Sequence, residues 1–201
     1  TAVSQPAFLK AVIERARAFP HFRVELGVTV RGLLRTDGRV EGVTVRSQIG
    51  SQTLHSDLVV GADGRNSVIR RACDLDVRKH GLDFDIVWFK MPPPAFLGGQ
   101  SPLRAYVGRG HLLIAYLAAD GLLQVAWIIT KGTYGELRRR GISEWVEERA
   151  QYATPALGAH LRIHSRSLTN PFLLSTVSDR VTSWSAPGAL VIGDAAHTVS
   201  P

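Results

Sequence analysis

The spacing of apolar residues changes along the chain, and these changes predict its helices and strands. Apolar side chains recur at helical intervals over residues 6–18, where Ser4 is placed to cap a helix and Pro6 falls in its first turn. Asp37-Gly38 then separates two β-rich runs, as the tight turn of a hairpin does. We therefore expect a helix, an antiparallel meander and a strand that returns to a parallel sheet, with strands near residues 22–26, 28–34, 40–45, 51–54 and 58–60.

The sequence pattern in the middle of the chain predicts a second layer of secondary structure. Strand-like runs follow one another without an intervening helix at residues 84–90, 103–107, 111–118 and 122–130. This succession implies an antiparallel sheet, and its long apolar runs imply that one face is covered. Two helices are expected at residues 135–140 and 143–152, with Gly141 as a stop, Ser143 as a cap and Pro155 as the end of the second. Strands then return the chain to the first layer near residues 171–176, 180–184 and 189–193.

Two segments carry the candidate chemistry, residues 57–70 and 189–197. Each is a short apolar run that ends in Gly and Asp and gives way to a helix-like stretch. Such a strand delivers a carboxylate and a tight glycine backbone to one edge of a sheet, and ligands of open α/β sheets bind at that edge. An ionised Asp accepts hydrogen bonds from sugar hydroxyls, and glycine lets backbone N–H groups approach a phosphate. The two turns together predict one shared dinucleotide ligand.

The same segments contain two family motifs. The first fits the pattern Asp-x3-Gly-Ala-Asp-Gly-x2-Ser-x2-Arg at every defined position, which are Asp57, Gly61, Ala62, Asp63, Gly64, Ser67 and Arg70. The second is the Gly-Asp-Ala-Ala-His turn at residues 193–197. In this order, the pair resembles the second and third FAD fingerprints of the para-hydroxybenzoate hydroxylase family, the single-component FAD-dependent aromatic monooxygenases.

The resemblance implies a fold and a domain plan. The expected fold class is α/β, in a mixed α+β arrangement, with a partial FAD-binding nucleotide layer and an inserted antiparallel substrate-binding sheet, as in para-hydroxybenzoate hydroxylase. Residues 1–72 would form part of the FAD-binding domain, and residues 73–184 the substrate-binding domain. Residues 185–201 would return to the FAD-binding domain through the Gly-Asp motif.

The resemblance also implies cofactor contacts at the two turns. Asp194, after Gly193, would hydrogen-bond the ribityl chain of FAD, although Asp also favours a helix N-cap. Asp63 and Gly64 would lie near the pyrophosphate and the reduced nicotinamide cofactor. Alternatively, Asp63 braces its own turn by bonding backbone N–H groups and contacts ligand only through water. His197 is interpreted as packing or orienting its loop, and no catalytic residue is assigned.

Other residues near the motifs have simpler expected roles. Gln5 and Pro201 occupy positions at which the family contacts the flavin, and both are cofactor-binding candidates through the resemblance alone. Ser67 or Asn66 is expected to cap the helix after the first turn, and Arg70 to form a structural ion pair.

The implied reaction is hydroxylation of an aromatic or apolar small molecule by an FAD-dependent monooxygenase that uses NAD(P)H and O2. The cofactor performs the difficult chemistry in such enzymes, which explains why the sequence offers no strong nucleophile or metal-ligand cluster. Two alternatives stay open. One is an FAD-dependent oxidoreductase of the same fold that does not insert oxygen, such as a reductase of isoprenoid chains. The other is a flavin-free, non-catalytic fragment.

Aromatic side chains on the inserted strands are candidates for substrate contact. Trp88, Tyr106, Tyr116 and Trp127 lie on these strands, and one face of the sheet would line a pocket for an aromatic or otherwise apolar molecule. For any single one of the four, a place in the hydrophobic core is the alternative.

The family's first fingerprint, a Gly-x-Gly-x-x-Gly turn, does not occur in the 201 residues. The chain opens at Thr1 without Met and stops at Pro201, shortly after the Gly-Asp turn. We therefore expect a fragment of a larger enzyme, which alone would retain no FAD and show no hydroxylase turnover, because the glycine-rich helix start that binds the pyrophosphate is missing.

Composition indicates which cellular compartments and binding partners suit the protein. Hydrophobic residues make up 45% of the chain, no apolar run reaches the roughly 18 residues that a membrane span needs, and no signal peptide is apparent. The single Cys73 excludes an internal disulfide and suits a reducing cytoplasm. The net charge of +7 is spread along the chain, with one concentrated run at residues 138–140. It therefore favours anionic cofactors over nucleic acid as the binding partner; the oligomeric state is left open.

Overall fold

The structure is a computed structural model that describes residues 3–97, 103–108 and 110–199. Its α-helices are α1 Gln5–Ala16, α2 Val68–Ala72, α3 Tyr134–Arg140, α4 Ile142–Arg149 and α5 Pro155–His164. Its strands are β1 Thr29–Thr36, β2 Arg39–Ser47, β3 Gly50–His55, β4 Val59–Gly61, β5 Val77–His80, β6 Phe84–Met91, β7 Arg104–Gly108, β8 His111–Leu117, β9 Leu123–Thr130, β10 Thr169–Leu174, β11 Ser178–Val181, β12 Ser185–Ala186, β13 Ala189–Val191 and β14 His197–Thr198. None of the helices in this part of the chain has the length and apolar character that crossing a bilayer requires.

The chain divides into two compact units. Unit I contains residues 1–22 and 82–176, and unit II contains residues 23–81 and 177–201. These bounds follow from contacts within the structure. The division of the sequence into FAD-binding segments at residues 1–72 and 185–201 and a substrate-binding segment at residues 73–184 stays a prediction.

Unit I is built on a five-stranded antiparallel sheet in the order β10-β6-β9-β8-β7. The antiparallel sheet predicted for the middle of the chain is therefore confirmed. One face of the sheet packs against α3, α4 and α5 around a buried core, whose largest fully buried side chains are Phe89, Met91, Leu123, Trp127, Leu157 and Leu161. The predicted cover on one face is also confirmed, because these helices remove the apolar residues on that side from water.

Helix α1 also belongs to unit I, and Ser4 caps it as predicted. The Ser4 Oγ accepts a hydrogen bond from the Ala7 backbone N–H at 3.5 Å, and a proline stands in the first turn. None of its residues is buried, and Phe8 and Val12 are exposed.

The described residues of unit II form three small sheets. The predicted meander forms the antiparallel sheet β1-β2-β3, in which Thr36 pairs with Arg39 across the Asp37-Gly38 turn. The other two sheets have the orders β12-β13-β4 and β14-β11-β5. A separate core holds unit II together, formed by Val40, Val59, Ile69, Val181, Ala189, Val191, Ala195 and Ala196.

Several local predictions are wrong, among them that residues 171–176 return the chain to the first layer, since β10 pairs with β6 in the unit I sheet. The structure describes no strand between residues 22 and 28, and the meander starts at Thr29. Ser143 does not cap α4, since Gly141 stands at the N-cap and Ser143 lies inside the helix. Pro155 does not end that helix, which stops at Arg149, but begins α5 instead. Proline is common just after a helix, which it cannot continue, and also at the first helical position, where no donor N–H is needed.

Candidate functional site

The two Gly-Asp turns lie beside each other in unit II. Strands β4 and β13 pair in parallel, with Val59 opposite Ala189 and Gly61 opposite Val191. The pairing continues past the last residue of β13, where the Ile192 N–H donates to the Gly61 carbonyl at 2.9 Å. Since parallel strands end at the same edge of a sheet, the predicted adjacency of the turns is confirmed.

The Asp63 carboxylate is bound to the start of its own helix, α2. Its Oδ1 accepts a hydrogen bond from the Ser67 hydroxyl at 2.5 Å, and its Oδ2 accepts from the backbone N–H of Val68 at 2.6 Å and of Ile69 at 3.3 Å. Burial acts to raise the pKa of Asp63, but these three hydrogen bonds outweigh burial and hold the pKa below its ordinary value. The Ser67 oxygen in turn accepts from the Arg70 N–H at 2.9 Å and caps the helix, as predicted.

Asp194 has a different environment. It lies in a short 3-10 turn at Gly193–Ala195, which leads into β14 and not into the helix-like stretch expected after this motif. Its side chain is 51% exposed, and Oδ2 lies 3.5 Å from Arg65 Nε. The Asp194 carboxylate is therefore open to solvent, whereas that of Asp63 is occupied by hydrogen bonds within its turn.

The glycine of each turn leaves the backbone open to approach. Gly64 has a φ of +78° and Gly193 a φ of +57°, in the left-handed region that glycine adopts without strain. A Cβ at either position would meet no heavy atom within 4 Å. Both backbones are therefore accessible from the side that a side chain would otherwise cover.

Sequence reasoning missed two residues at this site, Arg65 and Asp179. Arg65 occupies a variable position of the first motif, so no pattern singled it out. Asp179 lies on β11, outside both motifs, and is only 7% exposed. Its Oδ1 accepts a hydrogen bond from the Thr198 N–H at 3.2 Å and lies 3.9 Å from Arg70 Nη1.

The remaining candidates lie elsewhere. Gln5 is the first residue of α1 in unit I and lines a cavity of that unit. Pro201 lies outside the described residues. His197 begins β14, opposite Arg180, and its ring stacks on Trp184 with centroids 5.4 Å apart.

The four aromatic candidates divide between the two faces of the unit I sheet. Trp127 is fully buried and packs edge-on against Trp145 in the core, and Tyr106 packs against the same core. Trp88 and Tyr116 lie on the opposite face with ring centroids 6.5 Å apart.

Phe172 completes this second group, which we call the aromatic face (Trp88, Tyr116 and Phe172). It pairs with Trp88 across β10 and β6, and the two rings are nearly parallel, 9° apart, with centroids at 6.5 Å. Phe172 is 50% exposed, so the aromatic face presents an apolar surface to solvent.

The whole chain, residues 1–201, matches the model of a protein family described as the FAD binding domain. The chain belongs to the FAD binding domain family. The family resemblance inferred from the two motifs is thereby confirmed, and FAD is the cofactor of this family.

One sequence relative aligns with almost the whole chain. The chain is 31% identical over 198 residues to 6-methylpretetramide 4-monooxygenase of Streptomyces rimosus, an alignment that covers 98% of this chain and 46% of the relative. The chain thus spans about half the length of that relative.

Two solved structures share the fold. The p-nitrophenol 4-monooxygenase of Pseudomonas putida superposes with a TM-score of 0.78 at 17% identity, over 99% of this chain and 49% of that one. The flavin-dependent halogenase CmlS superposes with a TM-score of 0.78 at 19% identity, over 99% of this chain and 36% of that one. The predicted fold class is confirmed.

The residues at the paired turns fit the chemistry of FAD. FAD carries polyol hydroxyls, which need acceptors, and a pyrophosphate, which needs N–H donors and room for close approach. The half-exposed carboxylate of Asp194 supplies an acceptor, and the open backbones at Gly64 and Gly193 supply the room.

Proposed function

We propose that this chain is part of an FAD-dependent monooxygenase that hydroxylates an aromatic small molecule with NAD(P)H and O2. The observation that carries the proposal is the parallel pairing of β4 and β13, which brings an open carboxylate and two open glycine turns to one sheet edge. The 31% identity to a monooxygenase over nearly the whole chain supports the same reaction class.

In this proposal, Asp194 and Asp63 have unequal roles. Asp194 accepts a hydrogen bond from a ribityl hydroxyl of FAD, because its exposed carboxylate is not occupied by the N–H groups of a helix as that of Asp63 is. Gly193 and Gly64 let the backbone approach the phosphates. Asp63 supports this geometry indirectly, since its three hydrogen bonds shape the turn that carries Gly64. Gln5 and Pro201 remain proposed flavin contacts through the family resemblance.

Bound FAD, reduced by NAD(P)H, would supply the oxygen-transfer chemistry, and the protein would bind, orient and shield the reactants. The aromatic face is the proposed binding surface for the substrate rings. Trp88 and Phe172 offer exposed ring surface there, whereas Trp127 is already enclosed in the core. Aromatic side chains bind planar ligands through large apolar contact areas at low entropic cost.

The deciding experiment uses the protein at its natural length. Flavin absorbance in the purified protein tests cofactor binding, and turnover under oxygen-18 gas tests oxygen insertion. We expect stoichiometric FAD and one labelled oxygen atom in the product, dependent on NAD(P)H.

NAD(P)H oxidation coupled to substrate conversion, with no label in the product, would favour the oxidoreductase that does not insert oxygen. A protein that takes up no FAD when the cofactor is supplied in excess would contradict the proposal as a whole.

A further inference from the structure

A cavity of about 620 Å³ in unit I adjoins the aromatic face. Tyr116 belongs to both, since it lines the cavity and contacts Trp88 edge-on. Gln124 also lines the cavity, and it pairs with Tyr116 on β8 and with Lys90 on β6. A substrate whose rings lie on the aromatic face would therefore direct one end toward this cavity.

The charged residues among those lining the cavity are Lys90 and Asp120, and they neutralise each other. Lys90 Nζ donates to Asp120 Oδ2 at 2.6 Å. The other carboxylate oxygen accepts the Leu122 N–H at 3.2 Å within the β8–β9 turn, which fixes the orientation of Asp120. The hydrogen bond from Lys90, followed by that from Leu122, holds the pKa of Asp120 below its ordinary value, so the Asp120 carboxylate is ionised at neutral pH.

The remaining polar side chains of the cavity wall are neutral. Ser4 and Tyr116 contribute hydroxyls, and Gln5 and Gln124 contribute amides. Hydroxyl and amide groups both donate and accept hydrogen bonds, so they can satisfy a neutral polar group without a counter-charge.

We propose that this cavity binds a neutral hydrogen-bonding substituent of the aromatic substrate, such as a hydroxyl, carbonyl or carboxamide, and discriminates against a carboxylate. A carboxylate would give up part of its hydration at this wall without meeting a cation that lacks a counter-ion among the described lining residues. To reach Lys90 it would have to displace Asp120, which would leave that carboxylate unpaired beside it. The inference rests on the proposed substrate face and defines the class of molecule it accepts.

The test compares two probes of nearly equal shape, 2-naphthamide and 2-naphthoate, in ligand-observed NMR titrations of the full chain. We expect the wild type to bind the amide at least about tenfold more tightly than the carboxylate, which corresponds to about 1.4 kcal/mol. Asp120→Asn releases the Lys90 ammonium and should raise naphthoate affinity about tenfold, with a gain that shrinks as salt is added. Lys90→Met should weaken naphthoate further and leave naphthamide nearly unchanged.

Asp83→Asn is the matched control, because Asp83 is exposed and does not line the cavity. The inference is overturned if the wild type binds naphthoate as tightly as naphthamide, if Asp120→Asn leaves the ratio unchanged, or if neither probe binds up to its solubility limit. The titrations need no flavin, NAD(P)H or oxygen. A protein that keeps this preference but inserts no oxygen would therefore contradict only the proposed reaction.

Discussion

Arg70 donates a hydrogen bond from Nη1 to the Ala195 carbonyl at 3.2 Å, although the two residues lie 125 positions apart. Its Nη2 donates to the carbonyl of Arg65, so one guanidinium contacts both Gly-Asp turns. Asp179 lies beside the same guanidinium in unit II, which confirms the predicted ion pair of Arg70. Arg70 thus fixes the separation of the turns that carry the candidate cofactor contacts.

Replacing Arg70 should destabilise the protein strongly. Arg70→Met leaves the Asp179 carboxylate, only 7% exposed, without its cationic partner, and removes two hydrogen bonds to turn carbonyls. Loss of one partner of a buried pair costs about 3 kcal/mol in the free energy of unfolding, measurable by urea denaturation. Arg71→Met is the control, because Arg71 is exposed on the same helix. Equal losses in the two variants would show that the buried network does not stabilise the fold.

Removal of the exposed carboxylate should weaken cofactor binding without unfolding the protein. In the protein at its natural length, Asp194→Ala would remove the proposed charge-assisted hydrogen bond to FAD, worth about 1.5–3 kcal/mol, or roughly one to two decades of FAD affinity. Flavin fluorescence after dialysis measures the loss, and circular dichroism checks the fold. Glu147→Ala, at an exposed position on α4, should retain full flavin content. Unchanged flavin in Asp194→Ala would refute the proposed contact.

The contribution of Asp63 to stability should depend on pH. Its folded-state pKa lies below the ordinary value of 3.8, since hydrogen bonds from Ser67, Ile69 and Val68 outweigh the opposing effect of burial. A depressed carboxyl pKa stabilises the folded state above the unfolded pKa, and that stabilisation is lost as the pH falls through the folded pKa.

The difference in unfolding free energy between wild type and Asp63→Asn should therefore be constant from about pH 7 to pH 5 and shrink below about pH 4. Urea unfolding at a series of pH values measures it. A difference that grows on acidification would contradict the hydrogen-bond assignment.

The two faces of the unit I sheet should respond differently to the same substitution. Trp127→Ala empties a fully buried core position and should cost about 3–5 kcal/mol of unfolding free energy. Trp88→Ala should cost less, because Trp88 is half-buried, but should weaken naphthamide binding several-fold. Unfolding curves and NMR titrations of both variants separate the effects. Naphthamide affinity unchanged in Trp88→Ala would exclude the aromatic face as the binding surface.

Patterns among residues close together in the sequence predicted much of the fold correctly. The Asp37-Gly38 turn, the Ser4 cap and the strands of unit I were recognisable because each arises from backbone and side-chain preferences within a few positions. Pro155 was misassigned for the same reason, since a proline after one helix and a proline opening the next are locally alike.

The sequence by itself determined the family and the two turns, because each motif places its glycine and aspartate within one short segment. Only the tertiary structure decided which aspartate is free of its own helix, since the Asp63 carboxylate accepts hydrogen bonds at the start of α2 and that of Asp194 does not. It also decided that Trp88 and Trp127 lie on opposite faces. Strand β9 is apolar on both sides, so alternation along it could not indicate which face the helices cover. That choice depends on contacts between residues far apart in the chain, which form only when the sheet and its helices pack together.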